Sequence, residues 1–180
     1  MISTRIRDTP YKKRLSSLEK GVKVKVRGPE GKFVLHEDYS KAAVLLSGGI
    51  GVTPFRSMIK YATDKQLPLK INIFDSNRDQ ANILYKNEFD ECLKTNKNLK
   101  IIYTITAAEE GQAPSSSSWK GERGIINKNM LTKYLTTSEL DNSVFYVCGP
   151  PGMLKAMQNL LQDDLHIPKE SIKVEEFTGY

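Results

Sequence analysis

The sequence predicts an α/β protein built on a parallel sheet, and three kinds of observation lead to this prediction. Short apolar runs, such as residues 42–46 and 144–148, have the length of buried strands. Segments with apolar residues at helical spacing lie between such runs, for example at residues 54–63. Glycine-rich turns join strand to helix at two of these junctions. Strands that alternate with helices predict five parallel strands with helices on both faces of the sheet.

The composition is that of a globular protein and excludes several kinds of site. The chain has 180 residues, of which 39% are hydrophobic and 27% charged. Only Cys92 and Cys148 are cysteines, which excludes a disulfide scaffold and a four-cysteine metal or iron–sulfur site. No apolar stretch approaches the ~18 residues of a membrane span, and no signal peptide is recognisable, so we expect a cytoplasmic protein. The net charge of +6 suits an acidic redox partner or an anionic cofactor; no nucleic-acid motif accompanies it, and we expect no nucleic-acid partner.

The first 38 residues read as a β segment that differs from the rest of the chain. Residues 4–7 and 32–35 resemble short strands, and valines alternate with basic residues over 22–27. A Thr9 cap followed by Pro10 predicts a short helix at residues 11–18. Two or three short strands cannot bury a core alone. We therefore expect a boundary between residues 1–38 and 39–180, with the first segment packed on the second or part of a larger barrel.

From residue 41 onwards, predicted strands and helices alternate. Asn127 is a candidate cap for the helix that follows it. Five strands are predicted at residues 42–46, 69–74, 99–104, 144–148 and 172–177. Four helices are predicted at residues 54–63 and 81–94, after Asn127, and at 151–161.

Two glycine turns are the candidate binding elements. The first, residues 48–51, follows an apolar strand, and Thr53 and Pro54 then offer an N-cap and a first helical residue. The second, residues 148–152, also runs into a helix. Ligands of open parallel sheets bind at the carboxyl ends of the strands, where glycines and helix N-termini accommodate phosphate. Two such turns in one sheet predict a nucleotide cleft, although a single glycine turn is usually only a turn.

Both turns resemble the sequence motifs of a known protein family. Gly-Gly-Ile-Gly-Val-Thr-Pro (48–54) and Tyr-Val-Cys-Gly-Pro-Pro-Gly-Met (146–153) resemble the signature motifs of the ferredoxin–NADP⁺ reductase family, and residues 119–127 resemble the loop before its fourth strand. The resemblance implies a flavin-binding β-barrel (FAD or FMN), followed by a Rossmann-like NAD(P)-binding domain. Residues 1–38 would be the C-terminal part of that barrel, and residues 39–180 the second domain. Hydride would pass from NAD(P)H to the flavin, and single electrons then to a ferredoxin, a haem protein or an iron–sulfur domain.

The resemblance also implies roles for individual residues. Cys148 would lie near the nicotinamide and act in catalysis, whereas without the motif it reads as a buried structural cysteine. Phe177, or alternatively Tyr180, would cover the flavin, and Glu175 would assist proton transfer unless it is simply a solvated strand residue. The remaining dinucleotide-binding residues implied by the two motifs are Gly48, Gly49, Gly51, Thr53, Pro54, Gly149, Pro150 and Met153.

The choice of nicotinamide cofactor depends on the residues after the second and third strands. NADP-dependent members carry Ser-Arg after the third strand, whereas this chain has Thr106-Ala107-Ala108-Glu109-Glu110. Acidic residues repel a 2′-phosphate and accept hydrogen bonds from ribose hydroxyls, so they favour NADH over NADPH. Asp75, after the second strand, favours NADH for the same reason. Arg78 favours NADPH instead, because its positive charge would suit a 2′-phosphate. We expect NADH.

The chain departs from the family pattern at its beginning. The Arg-x-Tyr-Ser flavin signature does not occur before the segment that resembles the end of the barrel. Within that segment, Arg5, Thr9 and Lys12 resemble residues that approach the flavin phosphates. Three explanations remain open: the chain is a fragment of a longer frame, a dimer or partner chain completes the barrel, or the protein is a flavin-free NAD(P)-binding module without catalysis of its own.

Overall fold

A computed structural model describes residues 3–4, 6–28, 30–107 and 119–177. Its centre is a six-stranded sheet in the order β4-β3-β2-β1-β5-β6, in which all neighbouring strands are parallel. The predicted α/β class and all five predicted strands are confirmed. The additional strand β4 has only two residues, too few to show any alternation in the sequence. The strands are β1 (Ala42–Gly48), β2 (Ile71–Asn77), β3 (Leu99–Ile105), β4 (Glu122–Arg123), β5 (Ser143–Gly149) and β6 (Ile172–Glu176).

The helices differ from the sequence prediction mainly at their beginnings. The helix after β1 begins at Val52, so Thr53 lies inside its first turn and is not the predicted N-cap. The helix after β2 begins only at Lys86, because Asp79 caps a separate 3₁₀ turn before it. None of the described helices is long and apolar enough to span a membrane. They are α1 (Pro10–Ser16), α2 (Val52–Asp64), α3 (Lys86–Thr95), α4 (Lys128–Tyr134), α5 (Thr137–Asp141) and α6 (Pro151–Asn159).

Two hydrophobic cores lie on opposite faces of the sheet. Side chains alternate along β1, so Ala43 and Leu45 point to one face and Val44 and Leu46 to the other. Helices α2 and α3 cover the first face, called here the α2 face. Helices α4 and α6 cover the second, the α6 face. All seven residues of β1 are buried, as expected for a central strand covered on both sides.

The segment before the sheet contains one helix and, over its described residues, no strand. The strands predicted at residues 4–7, 22–27 and 32–35 are therefore wrong, and the described residues form no partial barrel. Alternation yields a strand only where a neighbouring strand can take the backbone hydrogen bonds. Residues 33–39 instead dock on the α2 face, where the backbone N–H of His36 donates to the Tyr146 hydroxyl at 2.8 Å. Val34 in this stretch is exposed, as are large apolar side chains elsewhere in the segment: Ile6, Tyr11, Val22, Val24 and Val26.

Candidate functional site

The two glycine turns are in direct contact at the carboxyl edge of the sheet. Strands β1 and β5 are neighbours, with Ser47 in register with Cys148, so the turns that follow them lie side by side. A Cβ atom on Gly51 would lie 2.2 Å from the carbonyl oxygen of Cys148. Gly51 has a φ of −60°, which any residue can adopt, so glycine is needed here for space. Gly49 is different, because its φ of +55° favours glycine by conformation.

Both helices that follow these turns lack a side-chain cap. Helix α2 has Gly51 at its N-cap, and α6 has Pro150. The N-cap residue therefore satisfies no N–H group through its side chain at either N-terminus, where the helix dipole is positive. Such a pair of helix ends beside glycine turns suits an anion with two phosphates.

A cleft of about 520 Å³ opens at this edge of the sheet. Ile126, Met153 and Met157 from the α6 face give it an apolar wall, and Arg7 and Arg78 bring positive charge. An apolar cleft with a few polar groups and cations is the expected form of a dinucleotide site. Its complete lining is Arg7, Gly48, Gly49, Ile50, Ser76, Asn77, Arg78, Asn82, Thr106, Ile125, Ile126, Pro150, Gly152, Met153, Ala156 and Met157.

Some of the predicted dinucleotide-binding residues line the cleft and others lie behind it. Those in the lining are Gly48, Gly49, Arg78, Thr106, Pro150 and Met153. Gly51, Thr53, Pro54 and Gly149 belong to the same turns and to the first turn of α2 but are not part of the lining. The other residues of the lining were not among the predicted site residues. Ile50 and Gly152 belong to the two glycine motifs, whereas the rest belong to neither: Arg7, Ser76, Asn77, Asn82, Ile125, Ile126, Ala156 and Met157.

The predicted catalytic residues come together on the α2 face. Cys148 of β5 is in register with Glu175 of β6, and Phe177 packs against the same core. The Cys148 side chain is fully buried. Burial and the nearby charge of Glu175 raise the pKa of its thiol to about 12, so it is not a thiolate nucleophile at neutral pH. None of these three residues is in the lining of the cleft, and Tyr180 lies outside the described residues.

The structure does not support the predicted contact between Asp75 and a ribose. Asp75 is fully buried on the α2 face and is not part of the cleft lining, so its carboxylate does not face a ligand in the cleft. Burial raises its pKa to about 6, against the opposing effect of the hydrogen bond from Asn77. Arg78, the residue that follows β2, is exposed at the cleft. Residues Ala108–Glu110 of the cofactor-choice segment lie outside the described residues.

Two of the three residues predicted to approach flavin phosphates, Thr9 and Lys12, are among the described residues. The Thr9 hydroxyl caps the seven-residue helix α1 by accepting the backbone N–H of Lys12 at 3.3 Å. Lys12 is itself buried, and Arg5 lies outside the described residues. A second cavity, of about 970 Å³, lies between this segment and the loop before α3, and Tyr11, Arg14 and Tyr85 are among the residues that line it.

Known proteins share both the sequence pattern and the fold. The family model described as "Oxidoreductase NAD-binding domain" matches residues 45–159. NADH-cytochrome b5 reductase 1 of Mortierella alpina is 30% identical over 155 residues, which cover 84% of this chain and 48% of that protein. Curated relatives of this kind are matched over only about half of their length.

Two solved structures have a similar fold. The cytochrome b5 reductase domain of Ulva prolifera nitrate reductase is 25% identical, with a TM-score of 0.76, covering 94% of this chain and 64% of that one. The CS-b5R domains of human Ncb5or, in the NAD⁺ form, are also 25% identical, with a TM-score of 0.77, covering 97% of this chain and 48% of that one.

Proposed function

Because this chain belongs to the oxidoreductase NAD-binding domain family, and to its ferredoxin–NADP⁺ reductase type, we propose that it binds NADH between its two glycine turns and delivers the hydride to a flavin. One observation carries the proposal. The turns after β1 and β5 touch through Gly51, and residues 48–50 of the first turn and the N-terminus of α6 line one cleft. A dinucleotide has two phosphates and two rings, and this cleft combines a glycine turn and an anion-binding helix end with an apolar wall.

The residues of the cleft fit a dinucleotide. The pyrophosphate would lie against Gly48, Gly49 and the N-terminus of α6, with Arg7 or Arg78 balancing its charge. Ile126, Met153 and Met157 would cover a ring face and exclude water from it. The preference for NADH rather than NADPH rests on the names of the relatives, several of which are NADH-cytochrome b5 reductases, and on the acidic residues after β3.

The fit to a flavin is only partial in the described residues. When bound, a flavin accepts the hydride as two electrons and passes them on singly. The second cavity offers Tyr11, Tyr85 and Arg14, but exposed valines surround it and no described strand closes it. We therefore propose that another protein segment, whether a longer frame, a second copy or a partner chain, completes the flavin site. We also propose that residues 1–38 and 39–180 are separate parts of the chain, and that the protein is cytoplasmic.

A haem protein is the proposed electron acceptor, because relatives are named cytochrome b5 reductase and nitrate reductase; a ferredoxin or iron–sulfur domain remains a prediction. The net charge of +6 suits an acidic surface on such a partner. The second candidate function is that of a flavin-free NAD(P)-binding subunit, favoured by the absence of strands from the described part of residues 1–38.

A paired substitution on α6 tests the dinucleotide site. Gly152 is exposed and lines the cleft, and a Cβ atom at this position would meet open space, so Gly152→Leu fills the cleft without displacing the backbone. We expect the Kd for NADH, measured by fluorescence titration, to rise at least about tenfold, a loss of about 1.4 kcal/mol. Lys155→Leu, at an exposed position of the same helix outside the lining, is the matched control and should bind normally. Equal Kd values for wild type and Gly152→Leu would show that the dinucleotide binds elsewhere.

Visible absorbance of the same protein separates the two candidate functions. A flavin spectrum that bleaches when NADH is added supports the reductase. A protein that binds NADH but retains no flavin after unbound flavin is removed, even when the segment proposed to complete the flavin site is present, supports the flavin-free subunit.

A further inference from the structure

We infer that Asp75 is a positioning residue for the dinucleotide site: its buried carboxylate holds the Asn77 side chain in the wall of the cleft and leaves the Asn77 amide oxygen for a hydroxyl donor of the ligand. The inference rests on the proposed function, since Asn77 serves a ligand only if the dinucleotide occupies this cleft. It replaces a direct contact between Asp75 and the ribose, because Asp75 lies outside the cleft lining and Asn77 lies within it.

The geometry links the two residues directly. Asp75 and Asn77 are two positions apart in β2, and therefore point to the same side of the strand. The Asn77 amide nitrogen Nδ2 donates to Asp75 Oδ2 at 2.9 Å. A carboxylate accepts only, so this bond determines which end of the amide faces Asp75. Asn77 lies in the lining of the cleft, whereas Asp75 does not.

The other end of the Asn77 amide has no protein partner. Asn77 Oδ1 is buried and accepts no hydrogen bond from the described residues. A buried acceptor without a donor is costly, and a ligand hydroxyl at the cleft would remove that cost. An acceptor in this position favours a ribose hydroxyl and disfavours a 2′-phosphate, which itself only accepts. The ligand class is therefore a dinucleotide with free ribose hydroxyls.

The surroundings of Asp75 leave its charge dependent on pH. Its neighbours in register are Ser47 of β1 and Tyr103 of β3, both neutral, and the Tyr103 hydroxyl is buried without a hydrogen-bond partner in the described part of the chain. Burial raises the pKa of Asp75 to about 6, and the Asp75 charge in turn adds to the effect of burial in raising the pKa of Tyr103. The carboxylate is thus charged above about pH 6 and neutral below it.

Charged side chains on the two helices that cover Asp75 form ion pairs with other residues. Arg56 of α2 forms an ion pair with Glu88 at 2.6 Å. Lys86 of α3 pairs with Asp90 at 2.7 Å and lies over the Tyr103 ring. The row continues across the sheet with Cys148 of β5, whose thiol is neutral, and then with Glu175 of β6, which is separated from Asp75 by two strands. Among the described residues, no lysine or arginine forms an ion pair with Asp75.

The test is the pH dependence of NADH affinity, measured by fluorescence titration from about pH 5 to about pH 8. In the wild type we expect the Kd to rise about threefold to tenfold as the pH falls through about 6, the change expected for weakening one hydrogen bond. Asp75→Asn should bind more weakly at pH 8 and show no step near pH 6. Asp38→Asn, the same charge change at an exposed position outside the cleft lining, should keep the wild-type step because the pKa of Asp38 is lowered by its hydrogen bonds with Ser40.

A second variant shows whether Asp75 acts through Asn77. Asn77→Ala removes the amide but leaves Asp75 in place, so the step near pH 6 should also disappear. The double variant should then bind no more weakly than the weaker single variant. A step that survives in Asn77→Ala overturns the inference, as does a wild-type profile without a step, even if Asp75→Asn does not fold. If the wild type binds no NADH at any pH, the proposed function fails instead.

Discussion

The contact between the two glycine turns makes a sharp prediction for Gly51→Ala. An alanine Cβ at this position would lie 2.2 Å from the Cys148 carbonyl oxygen, 2.6 Å from its carbon and 2.8 Å from the Gly149 nitrogen. All three are backbone atoms at the end of the buried strand β5, so no side-chain rotation can relieve the clash. The turn after β1 must move away from β5, and that movement opens the cleft where the dinucleotide is proposed to bind.

The expected cost is that of overpacking a close contact, about 1–3 kcal/mol of unfolding free energy. For a chain of this size, each kcal/mol lowers Tm by about 2–4 °C, so Gly51→Ala should melt about 2–12 °C below the wild type. Thermal unfolding followed by circular dichroism measures this shift. A fluorescence titration with NADH on the same sample should show weaker binding, because Gly48 and Gly49 move with the turn.

The matched comparison for stability is Gly152→Ala. Gly152 is also a glycine of the second motif, but a Cβ there has no atom within 4 Å, and the residue lies in the first turn of α6. Alanine is a better helix former than glycine, so this variant should be neutral or up to about 1 kcal/mol more stable. Equal melting temperatures for Gly51→Ala and wild type would refute the assignment of Gly51 as a spacing residue.

Two further predictions concern the packing that supports the cleft. Tyr146→Phe removes the hydroxyl that accepts the His36 N–H at 2.8 Å, so the free energy of unfolding should fall by about 1 kcal/mol in denaturant titrations; Tyr61→Phe, an exposed tyrosine, should change nothing. Burial raises the pKa of Glu139, but hydrogen bonds from Lys70 and Thr136 outweigh it and lower the pKa to about 2. Because the pKa in the folded protein lies below the ordinary glutamate value of 4.5, this stabilisation is present above about pH 4.5 and is lost as the pH falls towards 2. Glu139→Gln should therefore lose less stability than the wild type between neutral pH and about pH 3, and identical acid unfolding curves would contradict this.

The regular elements were predictable because their patterns are local. Short segments containing apolar residues marked all five longer strands. The Asn127 side chain caps α4 by accepting the Met130 N–H at 2.9 Å, as expected for an asparagine before a helical pattern. The predicted beginning of α2 was wrong, since the chain turns through Gly49–Gly51 as a 3₁₀ segment that already leads into the helix. The N-terminal strands were wrong for a different reason: alternating valines show that a segment can form a strand, not that a neighbouring strand exists to pair with it.

By itself the sequence determined the α/β class, the alternation of strands and helices, and the two glycine turns that mark the carboxyl edge of the sheet. Only the tertiary structure decided what each residue of that edge does. It showed that Gly49 is required for its positive φ and Gly51 for the space beside Cys148. It also buried Asp75 behind Asn77, where sequence reasoning had placed an exposed ribose acceptor. Periodicity and turn chemistry are properties of neighbours in the chain, whereas these roles depend on distances between strands far apart in sequence.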